Sequence, residues 1–166
     1  MGLIGQGAFS KVYQARRKAD GKLYALKRMR LNELTAQERG NCLNEVRMLS
    51  QIVHPNVIQY KEAFFDEHHL CLVTELAEHG DLLQLMARRR KERRPFSEEE
   101  ICVYGREMAN GLAALHRTKI IHRDVKAANF YLAQGLRVKL GDMNVSNISR
   151  NGMANTKIGT PYYTSP

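Results

Sequence analysis

The chain has 166 residues, 43% of them hydrophobic, which suits one domain with a core of its own. A formal charge of +9, from 26 basic and 17 acidic residues, indicates either a well-solvated basic surface or attraction to an anionic partner such as a nucleotide, an acidic protein or nucleic acid. No apolar run is long enough to span a bilayer and no leader segment is recognised, which argues against a membrane protein. The three cysteines are scattered, which argues against a disulfide-rich secreted protein. The sequence therefore predicts a cytoplasmic protein.

Six stretches of the chain have the alternating or short apolar patterns of β-strands. They are residues 11–14, 22–29, 57–65, 69–76, 130–132 and 137–140. Asp20 and Gly21 lie between the first two stretches and form the kind of pair that is typical of a hairpin tip. Because four of the six stretches come early, the sequence predicts a strand-rich first part that ends near residues 76–81.

A helix is predicted from residue 35 to residue 53. Thr35 and Glu38 form a capping box, a side-chain pair that often opens a helix. The His-Pro-Asn triplet at residues 54–56 is expected to stop it. One helical face is apolar and is expected to be buried, with Cys42, Val46, Leu49 and Val53.

Two more helices are predicted after residue 81. The first, residues 82–94, ends in a basic run that is most simply a solvated helix end, where cations suit the helix dipole. A nucleic-acid surface is disfavoured there because no stacking aromatic residues are interleaved. The second helix opens with a capping box of Ser97 and Glu100. Its apolar face carries Ile101, Tyr104, Met108, Leu112 and Leu115.

A glycine-containing loop leads into the strand at residues 11–14. Its residues are Gly5, Gln6, Gly7, Ala8, Phe9, Ser10, Lys11 and Val12. Small residues let backbone amides approach phosphate oxygens closely, although two glycines at this spacing also mark a plain hairpin. The loop lacks the lysine-serine ending of a Walker loop, and no helix follows it.

Lys27 and Glu45 are a candidate ion pair. In a strand Ala25 and Lys27 point the same way, so that a small residue could cover an adenine while the ammonium reaches phosphates. Glu45 lies about 60° from the centre of its helix's apolar face by the 3.6-residue period, and a carboxylate so placed needs a partner. The alternatives are a solvated lysine on an edge strand and a glutamate that reaches water.

The most specific pattern is His122-Arg123-Asp124-Val125-Lys126-Ala127-Ala128-Asn129, with Asp142 at the end of a later apolar run. Asp124 could accept the proton of an attacking hydroxyl, while Asn129 and Asp142 hold magnesium against nucleotide phosphates. Lys126 could neutralise charge on the transferred group. Arg123 is a candidate receptor for a phosphate on a nearby loop, and His122 is expected to be a packed, hydrogen-bonded core histidine.

Together these motifs resemble a protein kinase, and more narrowly a NIMA-related serine/threonine kinase. The resemblance covers nearly the whole chain, from the glycine loop through Lys27, Glu45 and the loop at Asp124 to residues 159–166. It implies an α+β, two-lobed fold: a strand-rich N-lobe with one helix at residues 1–76, and an incomplete helical C-lobe at residues 77–166. ATP would bind between the lobes.

The resemblance also implies roles for individual residues. Glu75 and Ala77 would form the hinge that binds adenine, Asp81 would bind the ribose, and the base would lie among Val12, Ala25 and Tyr131. The catalytic set would be Asp124, Lys126, Lys27 and Glu45, with Asn129 and Asp142 as magnesium ligands. Thr156 matches an activation-loop phosphorylation site, and Thr160 lies in the segment that receives the substrate hydroxyl. Leu49, Tyr60, His122 and Met143 would stack as a spine.

The chain departs from the family pattern in three places. Ser10 replaces the third glycine of the loop, and Met143-Asn144 stands where Phe-Gly or Leu-Gly is usual. The chain stops at Pro166, where the family continues with several helices, so we expect a truncated catalytic domain of poor stability on its own.

Three functions compete on these observations. The first is an ATP- and magnesium-dependent kinase acting on serine and threonine in proteins, without a membrane partner or a specified oligomeric state. The second is an inactive or weak kinase that serves as a nucleotide-binding or partner-binding scaffold. The third is a basic nucleic-acid-binding module, which would show steeply salt-dependent binding. Family analogy places such a kinase in the cytoplasm at the cytoskeleton, cilium or centrosome.

Overall fold

The structure is a computed structural model that describes residues 2–7, 10–30 and 35–143, except for the side chain of Glu45. The described part forms two compact units. Of the described residues, the first unit takes in the chain up to Gln51 and the segment Gln59–Leu76, and the second takes in Ile52–Ile58 and residues 77–143. The α+β fold class is confirmed, because the first unit is a sheet with a helix and the second is mainly helical.

The first unit is a five-stranded antiparallel sheet with one helix. The strands have the order β1-β2-β3-β5-β4 across the sheet. The helix, α1, packs against β4. The elements are β1 (Gly2–Gln6), β2 (Ser10–Arg16), β3 (Leu23–Arg30), α1 (Ala36–Ser50), β4 (Tyr60–Asp66) and β5 (His69–Glu75).

Helix α1 begins as the sequence predicts and ends earlier. The capping box is present: Thr35 Oγ1 accepts from the Glu38 backbone N–H at 3.3 Å, and Glu38 Oε2 accepts from the Thr35 backbone N–H at 2.8 Å. Cys42, Val46 and Leu49 are buried as expected. The burial of Val53 was predicted wrongly, since it is 81% exposed. The helix ends at Ser50, so the helical period no longer applies and Ile52 enters the core instead.

The second unit contains two helices and a two-stranded sheet in its described part. They are α2 (Leu82–Lys91), α3 (Glu98–Arg117), β6 (Phe130–Leu132) and β7 (Val138–Leu140). Helix α2 stops three residues before the predicted end because Arg93 adopts a φ of 52°. The Arg94 N–H then bonds the Arg89 carbonyl at 3.0 Å, which closes the helix end as a glycine usually does. Among the described residues no helix is long and apolar enough to cross a membrane.

Helix α3 has the predicted capping box, and its most buried positions lie late in the helix. Ser97 Oγ accepts from the Glu100 backbone N–H at 3.1 Å, and Glu100 accepts from the Ser97 N–H at 2.9 Å. The buried residues of the helix are Gly111, Ala114 and Leu115. Ile101 is 59% exposed, although it lies on the predicted apolar face.

Residues 52–58 pack in the second unit as an added edge beside β7. The Ile58 N–H donates to the Leu140 carbonyl at 2.8 Å, and the Leu140 N–H donates to the Asn56 carbonyl at 2.9 Å. The buried Asn56 side chain also donates to the Val138 carbonyl at 2.9 Å. The segment that follows α1 is therefore tied to β7 by three hydrogen bonds.

Gly111 allows α3 to pack against this segment. A Cβ at residue 111 would lie 2.5 Å from the Asn56 carbonyl oxygen and 3.3 Å from Leu140 Cβ. We expect Gly111→Ala to lower the free energy of unfolding by about 1–3 kcal/mol, because the backbone must shift. Gly105→Ala is the matched control on the same helix, since no atom lies within 4 Å of its added Cβ. It should be neutral or stabilising by up to about 1 kcal/mol. Chemical denaturation measures both, and equal effects would contradict this packing.

Candidate active site

Asp124, Lys126 and Asn129 form one polar cluster in the second unit. Lys126 Nζ lies 2.7 Å from Asp124 Oδ2. Asn129 is 3% exposed, and its Nδ2 donates to the Asp124 carbonyl oxygen at 2.7 Å and to Asp124 Oδ2 at 3.0 Å. The short 3₁₀ turn Ala127–Asn129 turns the amide back toward the aspartate. The structure therefore brings together three of the side chains that the sequence singles out.

His122 is a buried structural histidine, as predicted. It is 3% exposed, and its Nε2 lies 2.9 Å from the Gly141 carbonyl oxygen. The Asp124 backbone N–H donates to its Nδ1 at 3.3 Å, so Nδ1 is the unprotonated nitrogen. Nε2 then carries the proton and donates to Gly141. The ring thus joins the loop of Asp124 to the backbone that precedes Asp142.

Gly141 is a positioning residue that the sequence analysis missed. Its N–H donates to the Asn129 carbonyl at 2.9 Å, while its own carbonyl accepts from His122. A Cβ here would lie 2.8 Å from Ile58 Cγ1 and 3.0 Å from the Tyr131 ring. The only sequence signal was a glycine directly before Asp142. Because both hydrogen bonds fix the residue before Asp142, the backbone that enters Asp142 is held next to the turn of Asn129.

The surroundings of Asp142 are acidic and partly buried. Burial is the main cause that raises the pKa of the Tyr131 hydroxyl far above its usual range, and the charges of Asp142 and Asp81 raise it further. Tyr131 therefore stays neutral and able to donate a hydrogen bond at any physiological pH. Asp142 itself has a φ of 55°, a conformation in which aspartate is less strained than most residues.

The donor set fits a magnesium ion. Since Asn129 Nδ2 is bonded to Asp124, its amide oxygen is the atom that can serve a metal, and Asp142 adds a carboxylate. Magnesium prefers hard oxygen ligands and keeps several waters, so one amide and one carboxylate from the protein are enough beside phosphates. Within the described residues no group of three or more histidine, cysteine, aspartate or glutamate side chains is placed to hold a metal ion.

In the first unit, Val12, Ala25 and Lys27 lie on one face of the sheet. Val12 is directly opposite Lys27, and Gln14 is opposite Ala25, so alternate residues of the two strands share that face. The alternative of an edge-strand lysine is wrong, because β3 lies between β2 and β5. Lys27 is half-buried.

The glycine loop is described only in part. The Gly7 N–H donates to the Ser10 carbonyl at 2.8 Å and closes the hairpin between β1 and β2. Gly5 stands opposite Val12, next to an irregularity in the pairing of β1. Ala8 and Phe9 lie outside the described residues, as do Thr156, Thr160 and Asn144, and so does the Glu45 side chain.

The residues expected to bind adenine and ribose have structural contacts of their own. Glu75 Oε1 accepts from the Gln59 backbone N–H at 2.8 Å, and the Glu75 N–H donates to the Gln59 carbonyl at 2.9 Å. Asp81 Oδ1 accepts from the Gln84 N–H at 2.8 Å and caps α2. Ala77 is half-buried and Arg123 is exposed, with a φ of 67°.

The four predicted spine residues are each buried in their own unit. Leu49 and Tyr60 are both 4% exposed in the first unit. His122 and Met143 are 3% and 5% exposed in the second. Methionine thus fills a buried position after Asp142, as its flexible side chain permits.

Comparisons of the chain with a family model and with known proteins agree on one family. The family model of the protein kinase domain matches residues 1–166. The human serine/threonine-protein kinase Nek5 is 38% identical over 98% of this chain, which corresponds to 23% of that relative. The mouse serine/threonine-protein kinase Nek1 and the probable serine/threonine-protein kinase nek3 of Dictyostelium discoideum are each 34% identical over 98% of the chain. The chain spans 14% and 15% of these two relatives. These relatives confirm the NIMA-related resemblance.

Proposed function

This chain belongs to the protein kinase family, and we propose that it transfers the γ-phosphoryl group of ATP to serine or threonine hydroxyls of protein substrates. The observation that supports this most is the cluster of Asp124, Lys126 and Asn129, joined by contacts of 2.7–3.0 Å. A carboxylate, an ammonium and an amide held together are what proton removal and charge neutralisation on a phosphoryl group need. The relatives' names support serine and threonine as acceptors.

In the proposed reaction Asp124 orients the substrate hydroxyl and accepts its proton. Its carboxylate is held in place by Asn129, which fixes its orientation before substrate arrives. Lys126, at 2.7 Å from the same oxygen, pairs with the carboxylate and offsets charge on the transferred group. Magnesium, held by the oxygens of Asn129 and Asp142, would neutralise phosphate charge.

The remaining site assignments belong to the same proposal. Lys27 binds phosphates and pairs with Glu45, and the glycine loop covers the nucleotide. Adenine and ribose contact the residues assigned above to the hinge, Asp81 and Tyr131. Phosphorylation of Thr156 recruits Arg123 and orders the activation segment. Residues 1–76 serve as the N-lobe and residues 77–166 as C-lobe sequence, in a protein that works in the cytoplasm.

The test is transfer of label from γ-labelled ATP to a degenerate serine- and threonine-containing peptide library. We expect label on phosphoserine and phosphothreonine after acid hydrolysis, and transfer that stops when a chelator removes magnesium. ATP labelled at the α position should transfer nothing. Binding of ATP without any label transfer would favour the scaffold function instead.

A further inference from the structure

A cavity of about 510 Å³ lies on one face of the sheet of the first unit. It draws side chains from four neighbouring strands. Its polar lining includes Gln6, Lys11, Tyr13, Arg28, Arg30 and His69. None of these belongs to a described helix, so the sheet itself builds the cavity.

The pairing of the strands places this cavity on the face opposite Lys27. Lys11 stands directly across from Arg28, and Arg30 stands directly across from His69. Lys27 instead pairs with Val12. Because neighbouring residues of a strand point to opposite faces, the basic side chains of the cavity lie on the face opposite Lys27. At one end the cavity reaches the glycine loop, at Gln6, Gly7 and Ser10.

The cavity is strongly basic. Lys11, Arg28 and Arg30 contribute three cations, and no acidic residue is among its described lining residues. Arg28 Nη2 is paired with Asp66 Oδ2 at 2.8 Å, which compensates one of the three. A surplus of positive charge therefore remains at the cavity, and it favours an anion.

Two side-chain nitrogens of residues that line the cavity lack a hydrogen-bond partner in the described part of the chain. Arg28 Nε and His69 Nδ1 are shielded from water, and neither has a hydrogen-bond partner among the described residues. Buried polar atoms without partners are uncommon in folded proteins.

We propose that this cavity binds a phosphoserine or phosphothreonine side chain of a peptide segment. A phosphate group carries close to two charges and three acceptor oxygens, which matches two arginines, a lysine and the Tyr13 hydroxyl better than a carboxylate does. The cavity has room for the side chain and neighbouring backbone as well as the phosphate. The proposal rests on binding alone and stands whether or not the protein transfers phosphoryl groups.

The experiment measures fluorescence anisotropy of a labelled peptide with one phosphothreonine among glycines and alanines, added to the purified protein. The test variant combines Lys11→Gln with Arg30→Gln, both at exposed positions that should leave folding intact. The matched control combines Lys18→Gln with Lys61→Gln, which removes the same charge from exposed residues outside the cavity. We expect the test variant to bind at least roughly tenfold more weakly, because each lost charge-assisted hydrogen bond is worth about that factor or more, and the control to bind as the wild type does.

Four further results would overturn the proposal. They are equal binding of the unphosphorylated peptide, an equal loss in the control variant, displacement of the peptide by magnesium-ATP, and displacement by inorganic phosphate at the peptide's own concentration. The third would place the peptide in the nucleotide site, and the fourth would reduce the cavity to a site for the free ion. No displacement by ATP supports a separate site.

Discussion

Replacing Asp124 with asparagine should lower kcat for phosphoryl transfer by roughly 10²- to 10⁴-fold, the usual contribution of a general base. The substitution keeps the shape of the side chain and removes the atom that accepts the proton. It also removes the carboxylate that Lys126 and Asn129 contact at 2.7 and 3.0 Å. Nucleotide affinity should stay close to that of the wild type, because Asp124 is not proposed to bind ATP. Steady-state kinetics and calorimetric titration of ATP measure the two quantities.

Glu99→Gln is the control for the loss of a carboxylate. Glu99 is exposed in the first turn of α3, away from the cluster. Its kcat should match that of the wild type. Activity that persists in Asp124→Asn would refute the proposed role of Asp124, and a parallel loss of ATP binding would mean that the loop had rearranged.

Replacing Lys27 with methionine should lower kcat/KM for ATP by roughly 10- to 150-fold, the value of one lost hydrogen bond to a charged group. Methionine keeps the length and apolar stem of lysine, and it removes the ammonium from the central strand of the sheet. We expect much of the effect in KM, since the ammonium binds phosphates in the ground state as well as in the transition state.

Lys61→Met is the matched control in the same sheet, because Lys61 is exposed on β4 at the edge. Its kinetics should be unchanged. A Lys27→Met variant with wild-type kcat/KM for ATP would contradict the proposal that Lys27 of the first unit binds the phosphates.

Local patterns of the sequence predicted where the helices α1, α2 and α3 begin. Both capping boxes are formed by the expected residues, Thr35 with Glu38 and Ser97 with Glu100, because their contacts span only three residues. The loop of Asp124 is equally local. Its aspartate and asparagine are five residues apart, so one short turn is enough to join them.

The burial and contacts of residues that pack against distant parts of the chain could not be predicted from local sequence patterns. Val53 continues the apolar period of α1, yet Ile52 is buried because the following segment pairs with β7, more than eighty residues later. Asn56 and Gly111 meet in space without any local pattern that links them. The role of Gly141 depends on His122, Asn129 and Ile58 together, and only the packed structure brings these together.

The basic cavity was equally hidden from the sequence. Lys11, Arg28, Arg30 and His69 are scattered over three strands, and each taken alone is an ordinary surface residue. Only the register, which sets Lys11 opposite Arg28 and Arg30 opposite His69, shows that their side chains share one face. The net charge of +9 indicated either a solvated basic surface or an anionic partner, and it did not locate a binding surface.

The most direct test of the account is an experimental structure of the protein with magnesium and a non-hydrolysable ATP analogue. We expect oxygens of Asn129 and Asp142 about 2.1 Å from magnesium, the usual distance for this ion. Asp124 should keep its contact with Asn129 and should not bind the metal. Magnesium held by other residues, or the analogue bound without either oxygen near its metal, would contradict the proposed phosphoryl-transfer site.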